Sequence, residues 1–315
     1  MSQILNLSSM ASLLITGANG FVGQAIIQEL GTLEPENLPS EIVLVTRNGL
    51  NVNLPQSLRE ITCIVSQDLM KPWNIPYQSS HVINLAADGS HAPYSKEASE
   101  SFTLIGRNLI NWVRNLDHQV NLFHASSGAC FDRVSSNTSE YLSNGKVDFI
   151  NGRNKVEEEL IIASRNRDLR LSIGRLFTFS GNLILQKNQY AITEFIKSGL
   201  SERHIKVNGN AETVRSYLHE DAMADWILRA TINPVALNPL QIGSNQPVTI
   251  KELAEYVAEI TGAKVTYAPT SQPPDIYLPN NEETRSRLGV SEGTTWKIAV
   301  QEMIDSVRML ADGKD

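Results

Sequence analysis

The sequence predicts a doubly wound α/β fold, with a parallel sheet covered by helices on both faces and a smaller, mostly helical C-terminal lobe. Three observations carry that expectation: short, near-continuous apolar runs recur through the first half; amphipathic stretches separate several of them; and a glycine-rich turn joins the first run to the first helix. Strands buried on both faces lose the polar/apolar alternation of a half-exposed sheet, and these runs lack it.

The first unit is "SLLITGANGFVGQAIIQEL" (12–30), a strand, a turn, and a helix whose apolar positions Val22, Ile26, Ile27 and Leu30 recur at helical spacing. Further strands are expected at 41–47, 61–69, 81–88, 120–128 and 169–177, each ending in small or polar residues, with helices at 96–116 and 152–165. Beyond residue 178 the alternation loosens. "ITEFIKSGL" and "EDAMADWILRATI" read as helices and "LQIGS" as a short strand, while "TIKELAEYVAEITGA" reads as a helix capped by Thr249 and stopped at Gly262. A proline-rich loop at 268–281 precedes a closing helix in "TTWKIAVQEMIDSVRML". The expected domains are a dinucleotide-binding part at 1–178, with 213–245 returning to it, and a substrate lobe at 179–212 and 246–315.

Composition excludes several classes. At 315 residues, 41% hydrophobic and 19% charged, the chain can bury a full core. Its net charge of −7 includes no Lys/Arg run able to track a phosphate backbone or an anionic bilayer, so neither nucleic acid nor membrane is an expected partner. Cys63 and Cys130 lie too far apart for a zinc spacing or a disulfide framework, which predicts no metal site and a reducing cytoplasm. The first 28 residues are uncharged but lack the basic start of a signal peptide, and they read as a tail followed by a buried strand.

"TGANGFVG" spaces Gly17, Gly20 and Gly23 by three between strand and helix. Gly17 permits the tight turn, Gly20 lets backbone approach a pyrophosphate, and Gly23 allows close helix packing, while the helix N-terminus supplies amide N–H groups and positive dipole. A dinucleotide is the expected ligand. After strand two, Arg47 stands where an NAD site would place an acid on the ribose 2′-hydroxyl, which favours NADP over NAD unless Arg47 is a solvated loop residue. Asp68 after strand three is either an acceptor for the adenine amine or a capping residue.

With "NLAAD", "ASSGACFD", "NGRNKVEEE" and "GRLFTFSG" following in order, the chain resembles the extended short-chain dehydrogenase/reductase family, in particular its nucleotide-sugar epimerases and dehydratases, nearly end to end. The resemblance implies a Rossmann-type sheet that binds NADP or NAD through Gly17, Asn19, Gly20, Phe21, Val22, Gly23, and through Arg47, Asp68, Leu69, Ala86, Ala87 and Lys155. It implies a nucleotide-sugar substrate met by Thr178 and Arg215, with Asp88 and His91 on the loop after strand four. A family serine that bonds the reacting hydroxyl corresponds to Ser127.

The family's acid/base phenol, one helical turn ahead of a lysine, has no counterpart. One register places Asn151 and Lys155 in the two roles; a second, shifted by two, places Phe149 and Arg153 there and better keeps the usual distance to Arg175. Neither contains a tyrosine, and Tyr141 lies on the wrong side of a loop to serve Lys146. Read from the residues alone, Asn151 is also a good helix N-cap and Lys155 an ordinary i,i+4 partner of Glu159. The proton would then pass to His124, His91, Asp88, Tyr94 or a water-relayed Ser127. A homodimer would pack the apolar stripe Phe102, Leu104, Leu109, Ile110, Trp112 and Val113, which equally fits the sheet. Two functions follow: an NAD(P)-dependent epimerase, dehydratase or reductase working through a keto intermediate with non-standard acid/base residues, or a dinucleotide-binding sensor without catalysis.

Overall fold

The computed structural model describes residues 5–76, 78–87, 94–131, 144–165, 168–186, 190–235 and 238–312. Its elements in chain order are β1 (Leu13–Thr16), α1 (Phe21–Thr32), β2 (Ile42–Thr46), β3 (Thr62–Ser66), β4 (His81–Asn84), α2 (Lys96–Arg114), β5 (Val120–Ser127), α3 (Asn144–Ala163) and β6 (Leu169–Leu176). There follow β7 (Phe179–Ser180), α4 (Ala191–Ser201), β8 (His204–Val207), β9 (Val214–Arg215), β10 (Leu218–His219), α5 (Glu220–Ile232) and β11 (Leu240–Ile242). The last are β12 (Val248–Thr249), α6 (Ile250–Thr261), β13 (Lys264–Tyr267), α7 (Glu282–Leu288) and α8 (Trp296–Asp312).

The chain forms two compact units: Met1–Leu176 with Ala224–Gln241 and Thr284–Gly289, and Phe177–Met223 with Ile242–Glu283 and Val290–Asp315. Residues 177–178, 213–223 and 242–245, expected in the dinucleotide-binding part, group with the second unit, and 284–289, expected in the substrate lobe, group with the first.

A seven-stranded sheet in the order β11-β6-β5-β4-β1-β2-β3 forms the first unit's frame. The pairs from β6 across to β3 are all parallel. Strand order reverses between β1 and β4, and such a switch point opens a crevice at the carboxyl ends of the strands, where ligands bind in this architecture. Two registered side chains close that junction: Thr16 Oγ1 donates to Asn84 Oδ1 at 2.7 Å and accepts from Leu85 N–H at 3.1 Å. The apolar side chains of β4, β5 and β6 (Val82, Leu122, Leu171) pack in one core with Leu109 of α2 and Val156 and Leu160 of α3. Five of the six stripe residues on α2 are buried, and Leu104 is exposed; the stripe serves the sheet.

The second unit holds α4, α6, α8 and three small two-stranded sheets, of which β8–β13 is parallel and β9–β12 antiparallel. α6 starts as its sequence requires. Thr249 Oγ1 accepts from Glu252 N–H at 3.0 Å while the Glu252 carboxylate accepts from Thr249 N–H at 2.8 Å, and Gly262 ends the helix at φ 70°. Among the described residues no helix is long and apolar enough to cross a membrane.

One helix departs from expectation. α3 begins at Asn144, eight residues before the anticipated start, so Asn151 lies in its middle and is no N-cap. Helix propensity disfavours "NGKVDFING", but packing decides: a Cβ on Gly152 would collide with Ser99 Oγ of α2, and that hydroxyl donates to the Asp148 carbonyl at 2.6 Å. Gly106 likewise leaves room for Val156, letting α2 and α3 approach closely.

Candidate active site

The glycine turn is built as its spacing predicts. Gly17 has φ +70°, and a Cβ there would lie 2.9 Å from the Leu85 carbonyl oxygen. A Cβ on Gly23 would lie 2.5 Å from the Gly17 oxygen and 2.7 Å from Ala18 Cα. Gly20 is the N-cap of α1 and offers no side chain to its amides, and the first helical bond runs from Gln24 N–H to the Gly20 carbonyl at 2.9 Å. A helix N-terminus of this kind, with no side-chain cap, is the arrangement that favours an anion.

Asn19 has a structural task in the same place. Its Nδ2 donates to the Gly49 carbonyl and its Oδ1 accepts from Asn51 N–H, both at 2.8 Å, which pins the loop after β2 to the glycine turn. Arg47 is exposed on that loop, and its carbonyl accepts from Ser66 Oγ of β3 at 3.0 Å. Asp68 is half-buried and its Oδ1 accepts from Met70 N–H at 3.1 Å, the short turn that Asp side chains favour. Leu69 and Ala86 are buried and Ala87 is exposed. A dinucleotide fits these residues: the turn excludes any Cβ where a pyrophosphate would approach, and a loop carrying a cation is tied beside it.

Ser127 ends β5, half-buried, with its Oγ accepting from Ala129 N–H at 3.2 Å. Three residues earlier, His124 is almost fully buried on the α2/α3 side of the strand, where Asn84 Nδ2 meets its Nδ1 at 3.0 Å. Burial, with the charge of Arg153, pushes His124 down to about 3, so the ring is neutral and too weak a base to take a proton from a hydroxyl near neutral pH.

α3 presents two faces. Asn151 and Lys155 are both exposed. Arg153 instead lies between two aromatic rings, its guanidinium carbon 3.5 Å from the Phe149 centroid and 4.2 Å from that of Phe102 on α2. Tyr94, just before the N-cap of α2, has its ring edge-on to Phe149 at 4.9 Å. One turn after Arg153, Glu157 is buried and receives Arg175 Nη2 at 2.6 Å, Arg175 Nε at 3.2 Å and Ser126 Oγ at 2.5 Å. Phe149, Arg153 and Glu157 thus form one inward stripe at i, i+4 and i+8. The Glu157–Arg175 pair was missed in the sequence, although Arg175 ends a predicted strand and Glu157 follows Arg153 by one turn.

Asp88, His91 and Tyr141 lie outside the described residues. Thr178 and Arg215 belong to the second unit. There Thr178 Oγ1 donates to the Ser216 carbonyl, and Arg215 pairs with Asp275 at 3.1 Å within 5.9 Å of the Tyr277 ring. Beside them His219, Glu220, Asp221 and Glu302 cluster, with His219 Nδ1 3.3 Å from Asp221 and its Nε2 3.4 Å from Glu302. Burial pushes Glu220 up to about 7, against the pull of His219 and of backbone donors at Leu183 and Asn182. Among the described residues no group of His, Cys, Asp and Glu could hold a metal ion, and Cys63 and Cys130 are free thiols.

Comparison with known proteins places this arrangement. The structure is similar to UDP-glucose 4-epimerase with UDP-glucose from Thermotoga maritima, at 16% identity and a TM-score of 0.75, covering 95% of this chain and 99% of that one. It is similar to the Bordetella bronchiseptica enzyme WbmF in complex with NAD+, at 15% identity and a TM-score of 0.77, covering 99% and 96%. It also resembles RMD from Pseudomonas aeruginosa complexed with NADPH, at 17% identity and a TM-score of 0.73, covering 95% and 99%. At these identities the likeness is one of fold. No curated protein matches the chain by sequence. The family model for the NAD dependent epimerase/dehydratase family matches residues 13–243, most of the chain. By that match, with its parallel sheet and glycine turn, the chain belongs to the NAD dependent epimerase/dehydratase family.

Proposed function

We propose that this chain is a NAD(P)-dependent enzyme acting on a nucleotide-activated sugar, by epimerisation, dehydration or reduction through a keto intermediate. The observation that carries the reading is the closed glycine turn before an uncapped helix, in a chain of this family. The dinucleotide would be held by the α1 amides beyond Gly17 and Gly20, with Arg47 favouring a 2′-phosphate, Asp68 and Leu69 beside the adenine, and Ala86 and Ala87 along the β4 end. When bound, it supplies the hydride acceptor and donor.

For the reacting end, the second register is the one the geometry supports. Arg153 and Phe149 lie on the inward stripe that continues to Glu157, and Asn151 and Lys155 stand exposed. Arg153 takes the role of the cation beside the dinucleotide, fixed by two rings and permanently charged. Ser127 bonds the reacting hydroxyl. Thr178 and Arg215 are the proposed residues for the sugar and its diphosphate, with Asp88 and His91 as further substrate residues. NADP is the favoured dinucleotide because Arg47 stands where NAD would need an acid.

One observation favours a second reading, a dinucleotide-binding sensor without catalysis: Phe149 offers no transferable proton at the phenol position. A panel of UDP-, CDP-, GDP- and dTDP-sugars added to protein loaded with NADP or NAD separates the two. The enzyme changes the nicotinamide absorbance with at least one sugar; dinucleotide binding without any such change across the panel leaves the sensor.

A further inference from the structure

Oxidation of a sugar hydroxyl needs a group that accepts the hydroxyl proton and later returns it. On the inward stripe of α3, Phe149 carries no exchangeable proton and Arg153 stays charged. His124 is buried and neutral in the ordinary pH range. Ser127 can bond a hydroxyl, but an alcohol by itself does not store a proton near neutral pH.

Tyr94 touches the same group of side chains through Phe149. Its ring lies edge-on to Phe149, with centroids 4.9 Å apart and planes at 67°, and Phe149 in turn carries the Arg153 guanidinium at 3.5 Å. The ring is 45% exposed, open to a ligand. Its backbone is the second observation. Tyr94 has φ 64°, one of two non-glycine residues at positive φ among those described, in a region that costs an L-residue with a bulky side chain. The next residue, Ser95, caps α2 by accepting from Ala98 N–H at 3.1 Å, so the strained residue is fixed in place at the start of that helix. Backbone strain held by its surroundings concentrates at ligand sites, and this one follows β4, at the carboxyl end of the sheet.

We propose that Tyr94 supplies the phenol of this site: a catalytic residue standing just before α2, beside Phe149, rather than on α3 itself. The proposal rests on the enzyme reading above. In the forward step Tyr94 Oη, as the phenolate that the reverse step leaves, takes the proton of the reacting sugar hydroxyl. The O–H and C–H bonds of the carbinol break, a C=O bond forms, and the electron pair of the C–H bond passes as hydride to the oxidised nicotinamide dinucleotide. The sugar carbon is oxidised and the dinucleotide reduced; in the reverse direction Tyr94 returns the proton to the carbonyl oxygen.

The test uses the panel sugar that gives the largest absorbance change with wild type. Tyr94→Phe keeps the ring contact with Phe149 and removes only the hydroxyl, so kcat should fall by about 10² or more while KM and the calorimetric affinity for dinucleotide stay within about threefold. In Tyr94→Phe combined with Phe149→Tyr, a phenol returns one ring away, and kcat should recover at least about tenfold. A Tyr94→Phe protein with wild-type kcat overturns the proposal and leaves the enzyme reading standing. So does a loss confined to KM or to dinucleotide affinity, which marks ring packing. A wild-type protein that turns over no sugar of the panel overturns the enzyme reading and this proposal with it.

Discussion

Gly23→Ala should cripple dinucleotide binding while leaving the protein folded. The added methyl would sit 2.5 Å from the Gly17 oxygen, 2.7 Å from Ala18 Cα and 2.9 Å from Ala18 C, all of them backbone atoms with no rotamer to move aside. Relief requires α1 to back away from the turn by several tenths of an ångström, at an overpacking cost of about 1–3 kcal/mol. The same movement displaces the first-turn amides proposed to hold the pyrophosphate, and each ~1.4 kcal/mol lost in binding is a factor of ten in Kd. A rise in Kd of about tenfold to a hundredfold is therefore expected by calorimetric titration with NADP and NAD. Gly209→Ala is the matched control: nothing lies within 4 Å of its added methyl, so affinity should not change. Wild-type affinity in Gly23→Ala would refute the assignment of the turn.

Three further outcomes follow from the geometry. Glu157→Gln leaves Arg175 without its buried carboxylate and should destabilise the protein by about 3 kcal/mol in urea unfolding, the cost of breaking a buried ion pair from one side; an unchanged midpoint would mean the pair is dispensable. Glu220 holds its proton in the folded state up to about 7, above its ordinary 4.5, so the unfolded chain releases its proton first as pH rises. Its contribution is present below about 4.5 and is lost as pH approaches 7, by about 3 kcal/mol. His219 adds to the same trend. Burial pulls its pKa down, but the Asp221, Glu220 and Glu302 carboxylates outweigh that and hold it raised, so its contribution too fades with rising pH. Unfolding at pH 5 and pH 8 should show the fall, and Glu220→Gln should remove most of it; a flat wild-type profile would contradict this. Arg47→Asp should move the NADP/NAD affinity ratio toward NAD by at least about tenfold in the same calorimetric assay, the loss of a charge-assisted contact to a phosphate, and an unmoved ratio would make Arg47 a bystander.

The sheet was legible because its inner strands are buried on both faces and so announce themselves as apolar runs, and α6 because both of its ends carry capping chemistry that acts locally. α3 was only half legible. Its first nine residues contain Gly145 and Gly152, both poor helix formers, and the reason a glycine is wanted at 152 is Ser99 on a different helix. The inward face of α3 was ambiguous for a related reason. Asn151, Lys155 and Glu159 share the one-turn spacing of Phe149, Arg153 and Glu157, so spacing cannot choose between them. Tertiary contacts distinguish them: Glu157 is buried against Arg175 of β6, eighteen residues on, and the half-buried Arg153 stacks on Phe102 of α2. Those contacts depend on the packing of distant segments, which a local pattern does not encode. Lys155 reads as a candidate because a lysine is the familiar cation there; it stands exposed, while Arg153 stacks on Phe149 and Phe102.

The most direct test of the account is the dinucleotide Kd of Arg153→Leu set beside that of Lys155→Leu. The account places the reacting end on the Phe149–Arg153–Glu157 face of α3. It predicts a loss of about tenfold or more for Arg153→Leu, the ~1.5–3 kcal/mol of a hydrogen bond to a charged group, and a change within about twofold for Lys155→Leu. The reverse order, with Lys155→Leu losing affinity and Arg153→Leu keeping it, would contradict the account.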